Sequence, residues 1–184
     1  LGAYYAYVEF CKKKGIESSD ISTWEQHDYG PFLGSFYQEL ELQAMEDDPD
    51  VVHVYVPTGT NEMHYWNENG DFDGYIIEDA TNYGENSKYM CFVYGNQPRN
   101  KIENPKVTDG SSCLVVIDSY GCAFVPCLVD NYQTIWFSDC RYGWDNIPDF
   151  VKENGIQDVI FMNNMTIAGT ETVADNLYYL CSEW

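Results

Sequence analysis

Ser119 is the residue of this chain best set for nucleophilic chemistry. It follows the run Cys113-Leu114-Val115-Val116-Ile117, five apolar and largely β-branched residues that predict a buried strand, with Asp118-Ser119 at its end. A serine at a strand-to-helix turn exposes its hydroxyl above the sheet edge, and the N–H groups of the next helix start can hold an oxyanion. The same Asp118-Ser119 pair is equally an ordinary helix N-cap. Gly121, directly after Tyr120, favours a close approach of something at this turn. Asp139 and Arg141 close the following strand and read either as a bridge that fixes a loop or as a means for Arg141 to orient an anionic or carbonyl-bearing group. Gly95-Asn96, after a third extended run, offers an amide to an oxyanion or is plain turn chemistry. The candidate set is thus Ser119 as nucleophile, with Gly95, Asn96, Asp118, Tyr120, Gly121, Asp139 and Arg141 as oxyanion or substrate-binding residues.

These residues need a sheet edge to meet at. The segment 112–142 reads as strand, helix, strand: the run at 113–117, an apolar stretch Cys122 to Val129 near helical spacing, and a second buried run Thr134-Ile135-Trp136-Phe137. Parallel strands joined by a helix bring their C-terminal ends to one edge, where open α/β folds bind ligands. Further on, Trp144-Asp145-Asn146 is a cap for a helix Ile147 to Asn154, Asp158 to Met162 is a third parallel strand, and Thr170 to Tyr179 a closing helix. Before the central unit, Gly2 to Lys14 predicts an amphipathic helix stopped by Gly15. Ser18 to Gly30 is turn-rich, Pro31 to Leu42 a loop leading into a short helix, and Lys88 to Tyr94 a strand. Between Asp50 and Ile77 the period is two, with Asn67-Glu68-Asn69-Gly70 as a turn, so residues 50–80 predict an antiparallel hairpin insertion in a single domain spanning 1–184. Its Tyr, Trp and His residues suit sugar stacking and are also good strand formers.

Composition narrows the function. Thirty acidic against nine basic residues give a net charge of −21, which repels phosphate backbones and anionic lipid and argues against nucleic acid as a partner. No apolar stretch reaches the ~18 residues of a membrane span. The seven cysteines include no C-x-x-C pair, and Cys91, Cys113, Cys122, Cys127 and Cys181 sit in apolar runs as buried thiols. His27, His53 and His64 are scattered, so neither a metal site nor any other cofactor is expected.

In order along the chain, Leu1-Gly2-Ala3-Tyr4-Tyr5-Ala6-Tyr7, Gly34-Ser35, Tyr94-Gly95-Asn96, Val116-Ile117-Asp118-Ser119-Tyr120-Gly121 and Asp139-Cys140-Arg141-Tyr142 resemble the bacterial DHHW proteins. These are a branch of the SGNH-hydrolase-like proteins related to the alginate O-acetyltransferases. The resemblance implies a three-layer α/β/α sandwich (SGNH-hydrolase or flavodoxin-like) with a mainly parallel sheet, Ser119 as the family's serine, and an extracytoplasmic, bacterial location. It also implies that the acid and base come from an Asp-His-His-Trp motif just before the first helix. That motif is absent, and the chain reads as a fragment or a processed product. Within it, His27 beside Asp28 is the pair that resembles a substitute, or both are surface residues. Two functions follow: a serine acyl esterase or O-acetyltransferase acting on a cell-surface carbohydrate or an acylated small molecule, or a non-catalytic module that binds carbohydrate or protein.

Overall fold

The structure, a computed structural model, describes residues 1–142 and 146–182. Helix α1 (Gly2–Lys14) buries Tyr7 and Cys11 and ends at Gly15, whose left-handed φ of 77° lets its N–H reach Cys11 O and Lys12 O. Strand β1 (Glu25–Phe32) follows, then the short helices α2 (Gly34–Leu40) and α3 (Gln43–Asp47). Strand β2 (Asp50–Val56) pairs antiparallel with β1 in a separate two-stranded sheet, with Asp28 opposite His53.

The main sheet has six strands in the order β4-β3-β5-β7-β6-β8. They are β3 (Glu62–Asn67), β4 (Gly70–Tyr75), β5 (Arg99–Glu103), β6 (Ser112–Ile117), β7 (Thr134–Asp139) and β8 (Asp158–Met162). Two pairs, β6/β7 and β6/β8, are parallel, whereas β3/β4, β3/β5 and β5/β7 are antiparallel. The expected mainly parallel sheet is therefore corrected to a mixed one. Connection length explains the β3/β4 pair, since Glu68-Asn69 is too short for the crossover of a dozen or more residues that parallel neighbours need, and β5, which lies between β3 and β7, runs antiparallel to both.

Three local readings also change. The Cys122–Val129 segment is not an α-helix but two 3₁₀ stretches, Gly121–Ala123 and Val125–Asn131. Pro126 cannot donate within a helix, and its ring would strike the carbonyl of Cys122. The expected strand Lys88–Tyr94 is a 3₁₀ turn over Lys88–Cys91 with a single bridge, Ile77 to Phe92. Buried Lys88 is satisfied in this turn, its Nζ donating to Ala80 O (2.9 Å) and Thr81 O (3.0 Å), as a buried ammonium requires. Cys181 is exposed, and the other six cysteines are buried; all seven are free.

Strand β6 is buried along its whole length. Cys113, Val115 and Ile117 face one core with Ile135, Phe137, Tyr7 and the 125–131 turn, and Leu114 and Val116 face a second core under α4 (Ile147–Asn154) and α5 (Glu171–Cys181). Asn146 caps α4 by accepting from Asp149 N (3.1 Å), while Trp144 and Asp145 lie outside the described residues. Among the described residues no helix is long and apolar enough to cross a membrane.

Candidate active site

Everything at the site hangs on the exit from β6. Asp118 is buried, and both carboxylate oxygens are engaged: one accepts from Tyr120 N (2.8 Å) and the other from Asn164 N beyond β8 (2.7 Å). Its carbonyl accepts from Gly121 N (3.0 Å). Asp118 is thus a clamp between two strand ends. The close approach at Gly121 is made by the fold itself, because a Cβ there would lie 2.5 Å from Ile117 Cγ2 and 2.9 Å from Met162 O. Between these fixed points stands Ser119, half-buried, its carbonyl accepting from the Tyr89 hydroxyl (3.0 Å). Among the described residues no protein group engages the Ser119 hydroxyl or its amide N–H.

Opposite Ser119 the backbone does something costly. Val93, Tyr94 and Gly95 take φ values of 48°, 57° and 72° in succession, and for a β-branched valine this left-handed region is strained. Burial of Val93, its N–H to Ile76 O (2.8 Å), and the stacking of Tyr94 on Tyr65 (4.7 Å between ring centres) hold the turn. The turn delivers Asn96, whose Oδ1 accepts from the Cys122 thiol (3.7 Å). That leaves the Asn96 amide nitrogen without a protein partner among the described residues.

Ser119, Tyr120, Gly95, Asn96 and Cys122 line one cleft of about 500 Å³, which also holds Gly34 and Ser35. Its far wall is apolar. Tyr89 and Tyr120 are shared with an adjoining cavity of about 620 Å³, lined also by Leu1, Gly2, His53 and Asn163. Burial pushes the Cys122 thiol up to about 12, with the nearby Asp139 charge a smaller cause, so it stays protonated and does not compete as a nucleophile.

Asp139 and Arg141 do not line the cleft. Asp139 is fully buried and takes Arg141 Nε (2.8 Å), Nη2 (2.5 Å) and backbone N–H (3.0 Å), and this bidentate bond to Asp139 is the main reason the guanidinium is held above its ordinary pKa. Asp139 N also donates to Gln97 O (3.4 Å), so the pair braces the loop that carries Asn96. Of the histidines, His27 does not pair with Asp28: neighbours in a strand point to opposite faces. Asp28 instead meets His53 Nδ1 (2.7 Å) across the β1/β2 pair, and His27 Nε2 sits by Glu25 (3.2 Å). His64 lies on the β3/β4 hairpin beside Asp73 (2.9 Å). Among the described residues no three His, Cys, Asp or Glu side chains gather as metal ligands would. Sequence reasoning missed Tyr89 and the apolar wall, which come from segments distant from Ser119 in the chain and have no motif of their own, and it read Cys122, three residues after Ser119, only as a buried thiol.

The model of a family described as DHHW protein matches residues 1–138. The crystal structure of a DHHW family protein from Eubacterium siraeum superposes with a TM-score of 0.86 at 30% identity, covering 100% of this chain and 61% of that one. Bacillus cereus PatB1 superposes at a TM-score of 0.69, with 15% identity and coverage of 99% and 58% in the form carrying a sulfonyl adduct. Without the adduct, identity is 17% and coverage 100% and 59%, again at 0.69. This chain therefore spans about three fifths of the length of these solved structures. No curated protein matches it.

Proposed function

The chain belongs to the DHHW protein family, and on that footing we propose that it is a serine-dependent acyl-transfer domain, an esterase or O-acetyltransferase acting on a bacterial cell-surface carbohydrate. One observation carries the reading: Ser119 stands at the C-terminal end of a strand in a parallel pair, in a cleft shared with Asn96, with its hydroxyl and amide free of protein partners among the described residues. In this mechanism Ser119 Oγ bonds to the ester carbonyl carbon as a base takes its proton. The Ser119 N–H and the Asn96 amide hold the oxyanion, and the leaving alcohol departs with the proton. Water then returns the acyl group as acid, or a sugar hydroxyl takes it as a new ester. The resemblance assigns the base to an Asp-His-His-Trp motif before α1, and Leu1 and Gly2 line the cavity that meets the cleft at Tyr120. PatB1 carries a sulfonyl adduct in one structure. A sulfonyl electrophile is what an activated serine would capture, which fits the role given to Ser119.

The test is hydrolysis of p-nitrophenyl acetate by this chain and by a form carrying the Asp-His-His-Trp segment, each with and without Ser119→Ala. The expected result is turnover in the longer form that Ser119→Ala abolishes. Rates equal to the Ser119→Ala background in every form would overturn the serine chemistry and favour a non-catalytic binding module.

A further inference from the structure

The wall of the cleft facing Ser119 is larger and greasier than an acetyl group requires. Phe32, Phe36, Met45, Met90 and Phe92 line it, contributed by the end of β1, by α2 and α3, and by the segment before the strained 93–95 turn. An acetyl methyl is about the size of one water, which occupies ~30 Å³, against a cavity of about 500 Å³. Phe36 and Met90 are 64% and 54% exposed, so apolar surface continues out to the mouth. Charge supplies the second constraint. Among the described residues that line the cleft, Asp50 is the one ionisable side chain of Asp, Glu, Lys, Arg or His type, and the whole chain carries −21. Among the described lining residues no lysine or arginine is there to receive a phosphate or carboxylate, and a polyanionic acyl donor would meet a repulsive field.

We infer that the acyl group accepted beside Ser119 is an apolar chain of about four to eight carbons presented on an uncharged ester, rather than acetyl alone. The inference rests on the serine acyl-transfer reading above and names the group that this site selects. Ser119 Oγ forms the new ester to the chain's carbonyl, the alcohol leaves with the serine proton, and the alkyl tail lies along Phe32, Met45 and Phe92. Each methylene that enters an apolar wall favours the bound chain, which corresponds to a rise in kcat/KM of roughly fourfold per methylene until the wall is filled.

The experiment pairs turnover with a measurement that needs none. The p-nitrophenyl esters of acetate, butyrate, hexanoate and octanoate are compared, and in parallel the thermal midpoint is followed with octanamide or acetamide, both uncharged and stable. The expected outcome is a kcat/KM that climbs to hexanoate or octanoate, and a midpoint raised by octanamide and not by acetamide. Met45→Trp, which fills the cleft, is expected to lower the octanoate-to-acetate ratio of kcat/KM at least tenfold and to abolish the octanamide shift. Ester hydrolysis that depends on Ser119 yet is best with acetate, with no octanamide shift, overturns this inference and leaves the serine chemistry standing. An octanamide shift lost in Met45→Trp, with no hydrolysis above the Ser119→Ala background, overturns the serine chemistry and leaves the apolar ligand standing.

Discussion

Residues at this site divide by whether their hydrogen bonds are already spent. Asp118 and Asp139, both read from the sequence as candidates for the chemistry, have their oxygens engaged by backbone amides or by a guanidinium. Ser119 and the Asn96 amide do not. Replacing Asn96 by Ala is accordingly expected to lower kcat on a Ser119-dependent ester by about 10²-fold or more, with KM changed far less, because an oxyanion donor acts in the transition state. Arg141→Ala works through another channel. It strands a fully buried carboxylate, a loss that reaches about 3–5 kcal/mol for pairs sealed from water. Because Arg141 itself is one-third exposed, about 2 kcal/mol is expected here, read from the urea midpoint. An unchanged midpoint would show that Asp139 is held by backbone amides alone.

Elements position these residues through two strained or crowded turns. At 120–122 the chain must pass between Ile117 and the Met162 carbonyl, so Gly121 has no room for a side chain. Gly121→Ala is expected to destabilise by about 1–3 kcal/mol and to lower Ser119-dependent turnover beyond what the stability loss explains, since the turn carries the nucleophile. Stability and turnover both at wild-type values would show that β6 and β8 can part without cost. At 93–95 the left-handed run is stabilised by Val93 burial and Tyr94 stacking. The Asp139–Arg141 brace reaches the same loop through Gln97. The two turns face each other across the cleft, one from the parallel part of the sheet and one from the loop leading into antiparallel β5.

The whole molecule is acidic outside and rich in neutral thiols and phenols inside. Burial pushes Cys91, Cys122 and Cys127 from 9.0 up to about 12, and Tyr7 from 10.0 up to about 12. The folded state therefore holds protons that the unfolded chain releases. Stability from these groups is complete below pH 9 and falls as pH rises through about 12. Urea unfolding at pH 8, 9, 10 and 11 is expected to show a midpoint that drops across the last three, with the −21 charge adding to the loss. A midpoint flat to pH 11 would mean that the thiols reach solvent in the native state.

Local pattern alone determined much of this protein. The run 113–117 was legible as a buried strand because β-branched residues without polar interruption have nowhere else to go. The helices at Gly2–Lys14 and Ile147–Asn154 were legible from their apolar spacing and their glycine stops. The motif around Ser119 and the pieces resembling the family were likewise carried by short stretches of chain. Strand β1 was missed since Glu25-Gln26-His27-Asp28 carries no apolar alternation and is held by pairing with β2, and β5 was missed since Arg99, Lys101 and Glu103 alternate with only Asn100 and Ile102 toward the core. Only the tertiary structure decided strand direction, which follows from loop length and partner, and the pairing of Asp28 with His53 in place of His27. It also decided which carboxylates are spent and which face of the cleft is apolar. Those outcomes depend on contacts between residues tens of positions apart, and no local periodicity encodes them.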